Sequence, residues 1–129
     1  MPEPTVVDAS AMVDMLVGSA SAPNIERRLR GRELHAPAHF DAEVLSAIGR
    51  LERAGLMGAS DAATRIGLVA EAPLERHPLA PLLGGAWHRR HNLRLVDALY
   101  VELADRLGAR LVTVDAGLAA AAPMGEHID

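Results

Sequence analysis

The chain has 129 residues, half of them apolar and 23% charged, with 17 acidic residues against 13 basic ones for a formal charge of −4. This length suits one domain with a sizeable core, so a second domain is not needed. There is no cysteine and no run of 18 apolar residues, which leaves out disulfides, thiol catalysis, thiolate zinc sites and an apolar membrane-spanning helix.

Thr5-Val6-Val7 is a short β-branched run ending on Asp8, which predicts a strand near residues 4–8 followed by a helix over 9–18. A second helix is expected over 22–31 and a short strand near 33–36. Pro37 then acts as a start signal for a long helix over 39–54, whose apolar face is Phe40, Val44, Ala47, Ile48 and Leu51. Glu43, Ser46 and Arg50, spaced i, i+3, i+7, share a neighbouring face of that helix. Further along come a helix from about Ser60 to Glu71, a strand around Leu74 to His77 and, across Pro78, a helix near 79–90. Val96, Leu99, Tyr100, Leu103, Ala104 and Leu107 keep the helical rhythm until Gly108 stops it, and Arg110 to Asp115 reads as a strand. A helix over Ala116 to Ala122 is expected, and Gly125 to Asp129 is either a final strand or frayed coil. Strands alternating with helices indicate the α/β class with a mostly parallel sheet.

That alternation places four acids together. The helix after Asp97 runs about 15 Å away from it, and the strand to Asp115 returns about 16 Å, so the two carboxylates end at one level. Asp8 has the same form, a buried strand ending in an acid, and should lie at the carboxyl edge where open α/β sheets place their sites. A helix starting near that edge would turn Glu43 toward the three aspartates and set Arg50 deeper. Taken singly, Asp8, Asp97 and Asp115 each have a structural reading as helix caps or dipole partners, and Glu43 as a solvated helix residue. Taken together, four crowded acids repel one another unless a cation binds among them. Oxygen ligands without His or Cys suit Mg²⁺ or Mn²⁺, ions whose natural chemistry is phosphodiester hydrolysis. Ser10, two residues past Asp8, and Thr113, two before Asp115, are placed to orient a carboxylate or a water.

A net negative charge is unusual for a nucleic-acid enzyme. Setting the four candidate ligands apart leaves acids and bases equal at 13 each, so the excess can reside in the site. All 13 basic residues are arginine, which favours bidentate contacts to phosphate or carboxylate. Arg27, Arg28, Arg30 and Arg32 form one cluster and Arg89, Arg90 and Arg94 another; each suits a nucleic-acid backbone, an acidic partner or a solvated helix face. Asp41 reads as a dipole partner, and Asp14, Asp61 and Asp105 fall on polar faces. His88 and His91 lie three apart on a predicted helix without a third ligand in view, and His35 and His39 straddle Pro37, which spoils a helical register. Walker, dinucleotide, hydrolase-elbow and zincin motifs are absent.

Four segments, Val6-Val7-Asp8-Ala9-Ser10, Pro37 with Ala42-Glu43-Val44-Leu45, Asn92 to Tyr100 around Asp97, and Leu111-Val112-Thr113-Val114-Asp115, resemble the ordered motifs of PIN domains. The likeness is closest to the VapC-type toxins of bacterial toxin–antitoxin pairs, and it spans nearly the whole chain. The resemblance implies one three-layer α/β/α domain over residues 1–129 and a Mg²⁺- or Mn²⁺-dependent endoribonuclease. It also implies a cognate antitoxin and a homodimer. Its acidic positions fall on Asp8, Glu43, Asp97 and Asp115 and its hydroxyl positions on Ser10 and Thr113, with Arg50 and Arg94 as candidate RNA-phosphate contacts. Many relatives carry another polar residue after the last aspartate, where this chain has Ala116 and Gly117, so one firmly held ion is expected. The amino terminus has neither the basic nor the apolar segment of a secretory signal, which makes the cytoplasm the expected location. Two rivals read less well. A phosphoaspartate receiver or phosphatase-like domain wants a lysine that the chain lacks, and a non-catalytic RNA reader wants aromatic platforms where only Phe40, Trp87 and Tyr100 exist.

Overall fold

The computed structural model describes residues 2–129. Five strands, β1 (Pro4–Val7), β2 (Glu33–Pro37), β3 (Leu74–His77), β4 (Arg110–Thr113) and β5 (Gly125–His127), form one sheet in the order β3-β2-β1-β4-β5, with all pairings parallel. Between them run α1 (Ala9–Val17), α2 (Ala22–Leu29), α3 (Phe40–Arg53), α4 (Ala59–Ala70), α5 (Leu83–His88), α6 (Leu95–Leu107) and α7 (Ala116–Ala121). The chain steps outward from β1 to β2 and β3, then crosses back to β4 and β5. Right-handed crossovers therefore place α1 to α4 on one face and α5 to α7 on the other. This α/β sandwich agrees with the class expected from the alternation of strand and helix.

The central strands are apolar runs because both of their faces are covered. Val6, Val7, Leu111 and Val112 have no exposed surface, and α6 packs across β1, β2 and β4 with Val101, Leu103 and Ala104 in the core. Two left-handed glycines set the ends of the helices that bracket the site, Gly18 (φ 69°) after α1 and Gly108 (φ 60°) after α6.

The segment expected as one helix over 79–90 is divided. Pro81 lies in a 3-10 turn, Ala80–Leu82, and α5 follows it and ends at His88, so His88 and His91 do not share a helix. A Cβ on Gly85 would lie 2.1 Å from the Glu102 carboxylate carbon, so the end of the Glu102 side chain fills the space beside α5 that a Cβ would take. The tail resolves as a strand: β5 pairs with β4 from Leu111↔Gly125 to Thr113↔His127.

The strand order sets the position of a site. β1 has β2 on one side, reached through helices on one face, and β4 on the other, reached through helices on the opposite face. The crevice beyond the carboxyl ends of β1 and β4 is thus the switch point of the sheet.

Candidate active site

Asp8 follows β1 directly, and its backbone N–H donates to the Val112 carbonyl at 3.2 Å, which locks it beside β4. Its side chain caps α1, with Oδ1 accepting from the Ala11 N–H at 2.9 Å. The Ser10 hydroxyl donates to Oδ1 at 2.8 Å, and Thr113 on β4 donates to Oδ2 at 2.6 Å. Asp8 is 5% exposed. Burial pushes its pKa up from 3.8 to about 6, against three hydrogen bonds that pull it down, and the Asp97 charge adds to the rise.

Asp115 caps α7 through Oδ1, which accepts from the Leu118 N–H at 3.0 Å, while the Thr113 hydroxyl accepts from the Asp115 N–H at 3.0 Å. Thr113 thereby ties the two aspartates of neighbouring strands through one hydroxyl. Both capping interpretations of the sequence hold, and neither removes the acids from the cleft, since a cap uses one carboxylate oxygen.

Asp97 lies in the first turn of α6 and Glu43 in the first turn of α3. The Tyr100 hydroxyl donates to Glu43 Oε1 at 2.6 Å, and burial together with that carboxylate raises the phenol far above its ordinary range. The His39 Nε2 donates to the Val96 carbonyl at 2.9 Å, and the ring packs against Tyr100, which joins the start of α3 to the start of α6.

All four acids line one cleft of about 340 Å³, together with Ser10, Asp14, Arg50, Arg94 and Tyr100. Five carboxylates face two arginines there. Arg94 donates to Asp97 Oδ2 at 3.0 Å, and its pKa is raised by that bond and further by the charges of Asp97, Glu43 and Asp115. A single guanidinium, 75% exposed, thus balances part of a charge drawn from three chain segments.

The second arginine group does not act as one cluster. Arg89 pairs with Glu102 at 3.1 Å and Asp105 at 3.3 Å, Arg90 stacks over Trp87 at 4.5 Å, and Arg94 turns into the cleft. The first group, Arg27, Arg28, Arg30 and Arg32, lines a separate cleft of about 600 Å³ beside His127 and Asp129. Asp41 is held by Arg76 of β3 at 3.0 Å and has a partner beyond the helix dipole.

A family model described as PIN domain matches residues 5–123. Ribonuclease VapC3 of Mycobacterium tuberculosis is 50% identical over 128 residues, covering 98% of this chain and 93% of the relative. Ribonuclease VapC12 of the same organism is 37% identical over 114 residues, 88% of each chain. The chain belongs to the PIN domain family, among its VapC-type ribonucleases. Solved structures agree on the fold. PAE2754 from Pyrobaculum aerophilum superposes with a TM-score of 0.70 at 24% identity, covering 96% of this chain and 82% of that one. The Mycobacterium tuberculosis VapC20 structure, titled a sarcin-ricin loop cleaving toxin, does so at 0.66 and 18% identity, covering 91% and 94%. A toxin-antitoxin complex from Klebsiella pneumoniae gives 0.66 at 14% identity over 95% of each chain.

Two residues of this PIN domain's cleft are not apparent as site residues from sequence pattern alone. Tyr100 reads as core, and it is 1% exposed, yet its hydroxyl end reaches Glu43. Its spacing of three from Asp97 is the signal, because i and i+3 share a helix face. Asp14 reads as a polar-face residue but lines the cleft, and its spacing of four from Ser10 is the corresponding signal. Gly117 lies close to the site: a Cβ there would stand 3.3 Å from Asp115 Oδ1, a tight contact with the oxygen that caps α7.

Proposed function

We propose that the chain is a Mg²⁺- or Mn²⁺-dependent endoribonuclease that acts as the toxin of a toxin–antitoxin pair, with RNA as substrate and a cognate antitoxin as inhibitor. Residues 1–129 act as one nuclease domain, in the cytoplasm, as a homodimer. The observation that carries the reading is the convergence of Asp8, Glu43, Asp97 and Asp115 from four chain segments into one cleft, with Asp8 buried at its floor. The ribonuclease names of relatives at 50% and 37% identity support the reaction class. An exposed apolar patch of Leu83, Trp87, Leu95 and Val96 beside the cleft supports self-association.

The donor set fits a hard divalent cation. It is made of carboxylate oxygens, carries an acidic excess that Arg94 and Arg50 do not cancel, and contains no histidine or cysteine among the cleft residues. Asp8, Asp97 and Asp115 would hold the ion, with Glu43 beside them. A bound divalent ion supplies Lewis-acid polarisation of the scissile phosphate and a more acidic water.

The rest is done by the chain's own groups. Thr113 and Ser10 hold the Asp8 carboxylate against rotation, and the Ala11 N–H holds its other edge, so the lone pairs that face the cleft are preorganised. Tyr100 occupies Glu43 Oε1, which leaves Oε2 to take the proton of an attacking water. Arg94, released from Asp97, and Arg50, an exposed residue of the cleft lining, meet the phosphate charge that grows as the bond breaks.

Purified protein is expected to cleave RNA with Mg²⁺ or Mn²⁺, to stop in EDTA and to lose cleavage as Asp97→Asn with its circular dichroism unchanged. Full activity in EDTA or in that variant overturns the proposal. Expression alone is expected to arrest growth, and co-expression of the neighbouring gene's product to relieve it; harmless expression removes the toxin assignment and leaves a ribonuclease.

A further inference from the structure

We infer that His35, His77 and Glu75 form a second metal site, suited to a zinc-type transition ion and separate from the acidic cleft. None of the three lines that cleft. The pairing of β2 with β3 sets His35 opposite Glu75 and Pro37 opposite His77, and the two-residue period of a strand puts both histidines and Glu75 on one face of the sheet. Their ligand atoms lie within 4.8 Å of one another.

The histidine chemistry is specific. His35 is 3% exposed, and its Nε2 meets Glu33 Oε1 at 2.7 Å. A carboxylate accepts and never donates, so Nε2 carries a proton, and in the neutral ring Nδ1 then presents a lone pair. That lone pair faces His77 Nε2 at 2.8 Å and has Glu75 Oε2 at 3.4 Å. Two imidazole nitrogens confront each other across a single proton, with a carboxylate alongside. A cation in place of that proton satisfies all three groups, and the displaced proton moves to Nδ1 of His77 or to water.

The remaining geometry agrees. Zinc–nitrogen bonds of about 2.05 Å at a tetrahedral angle need the two nitrogens about 3.3 Å apart, so the rings must separate by roughly half an ångström. His77 is partly exposed at the end of the edge strand, and the Glu75 side chain is 65% exposed, so both are able to move. Glu33 holding the outer nitrogen of a metal-binding histidine is the arrangement that fixes the tautomer and raises basicity at such sites. Two nitrogens and one oxygen prefer Zn²⁺ to Mg²⁺ and leave a fourth position for water or a partner's group.

The test uses the full chain stripped with EDTA and then held in excess Mg²⁺, which occupies hard oxygen sites. Titration calorimetry with Zn²⁺ is expected to show one tight equivalent, and Co²⁺ to give tetrahedral visible absorption that Zn²⁺ displaces. His77→Ala abolishes both signals, Glu33→Gln weakens Zn²⁺ binding about 10–100-fold, and Asp97→Asn leaves both intact. Zn²⁺ binding that survives His77→Ala, or is lost with Asp97→Asn, overturns the inference, as does wild-type protein that takes up no equivalent. His77 and Glu33 are not core residues, and circular dichroism separates loss of binding from loss of fold.

Discussion

Replacing Asp8 by Asn should stabilise the metal-free protein while destroying its activity. Asp8 is 5% exposed and its folded pKa is about 6, against 3.8 as the ordinary value. With the folded value above the unfolded one, the contribution is most favourable below pH 3.8 and is lost as pH rises through about 6. At pH 7.5 the folded chain holds a carboxylate that it would rather hold neutral, at a cost of about 3 kcal/mol, since each pKa unit is about 1.4 kcal/mol. Asn keeps the shape: its Oδ1 accepts from the Ala11 N–H, and its amide can donate to the Thr113 oxygen. Chemical unfolding in EDTA at pH 7.5 should therefore show Asp8→Asn more stable than the parent by about 2–3 kcal/mol, roughly 6–12 °C in Tm for a chain of this size. The advantage should shrink toward zero as the pH falls to 4. Added Mg²⁺ should stabilise the parent and not the variant. A variant less stable than the parent at pH 7.5, or an advantage independent of pH, would refute the reasoning.

Thr113→Val removes the shortest hydrogen bond that Asp8 receives and so raises that carboxyl further; the acid limb of Mn²⁺ binding, followed by calorimetry, is expected to move to higher pH, and an unmoved limb counts against it. Tyr100→Phe frees Glu43 without disturbing the buried ring, and single-turnover RNA cleavage should fall about tenfold, the equivalent of about 1.4 kcal/mol, with KM and Tm nearly unchanged. Gly85→Ala drives a methyl into the Glu102 carboxylate and displaces it from Arg89 and Arg106; urea unfolding should show a loss of about 1 kcal/mol, and a neutral result would mean that the carboxylate swings aside without losing those partners.

What the sequence makes legible is whatever local periodicity determines. Asp97 and Asp115 are joined by one helix and one strand of nearly equal length, so their proximity follows from two rises per residue and needs no knowledge of the rest. Asp8 and Glu43 follow from strand ends and helix starts in the same way. Residues whose role depends on which strand lies beside which are harder to read. His35 and His77 are 42 positions apart, and their contact exists because β2 and β3 pair in one register. Tyr100 is correctly placed in the core by its spacing, but an apolar pattern says nothing of where a phenol's hydroxyl ends. The divided helix at 80–88 has a signal in Pro81 and the Gly84-Gly85 pair, which outweighs the apolar run through Leu82, Leu83 and Ala86.

The proposed activity rests on one cation held among four acids, and a crystal of the protein soaked in Mn²⁺ with data at the manganese edge tests that directly. An anomalous peak bounded by Asp8, Asp97 and Asp115, with Glu43 beside it, and absent from Asp97→Asn crystals is the predicted result. No manganese in the cleft at millimolar soak, or an ion there that Asp97→Asn still holds, would contradict it.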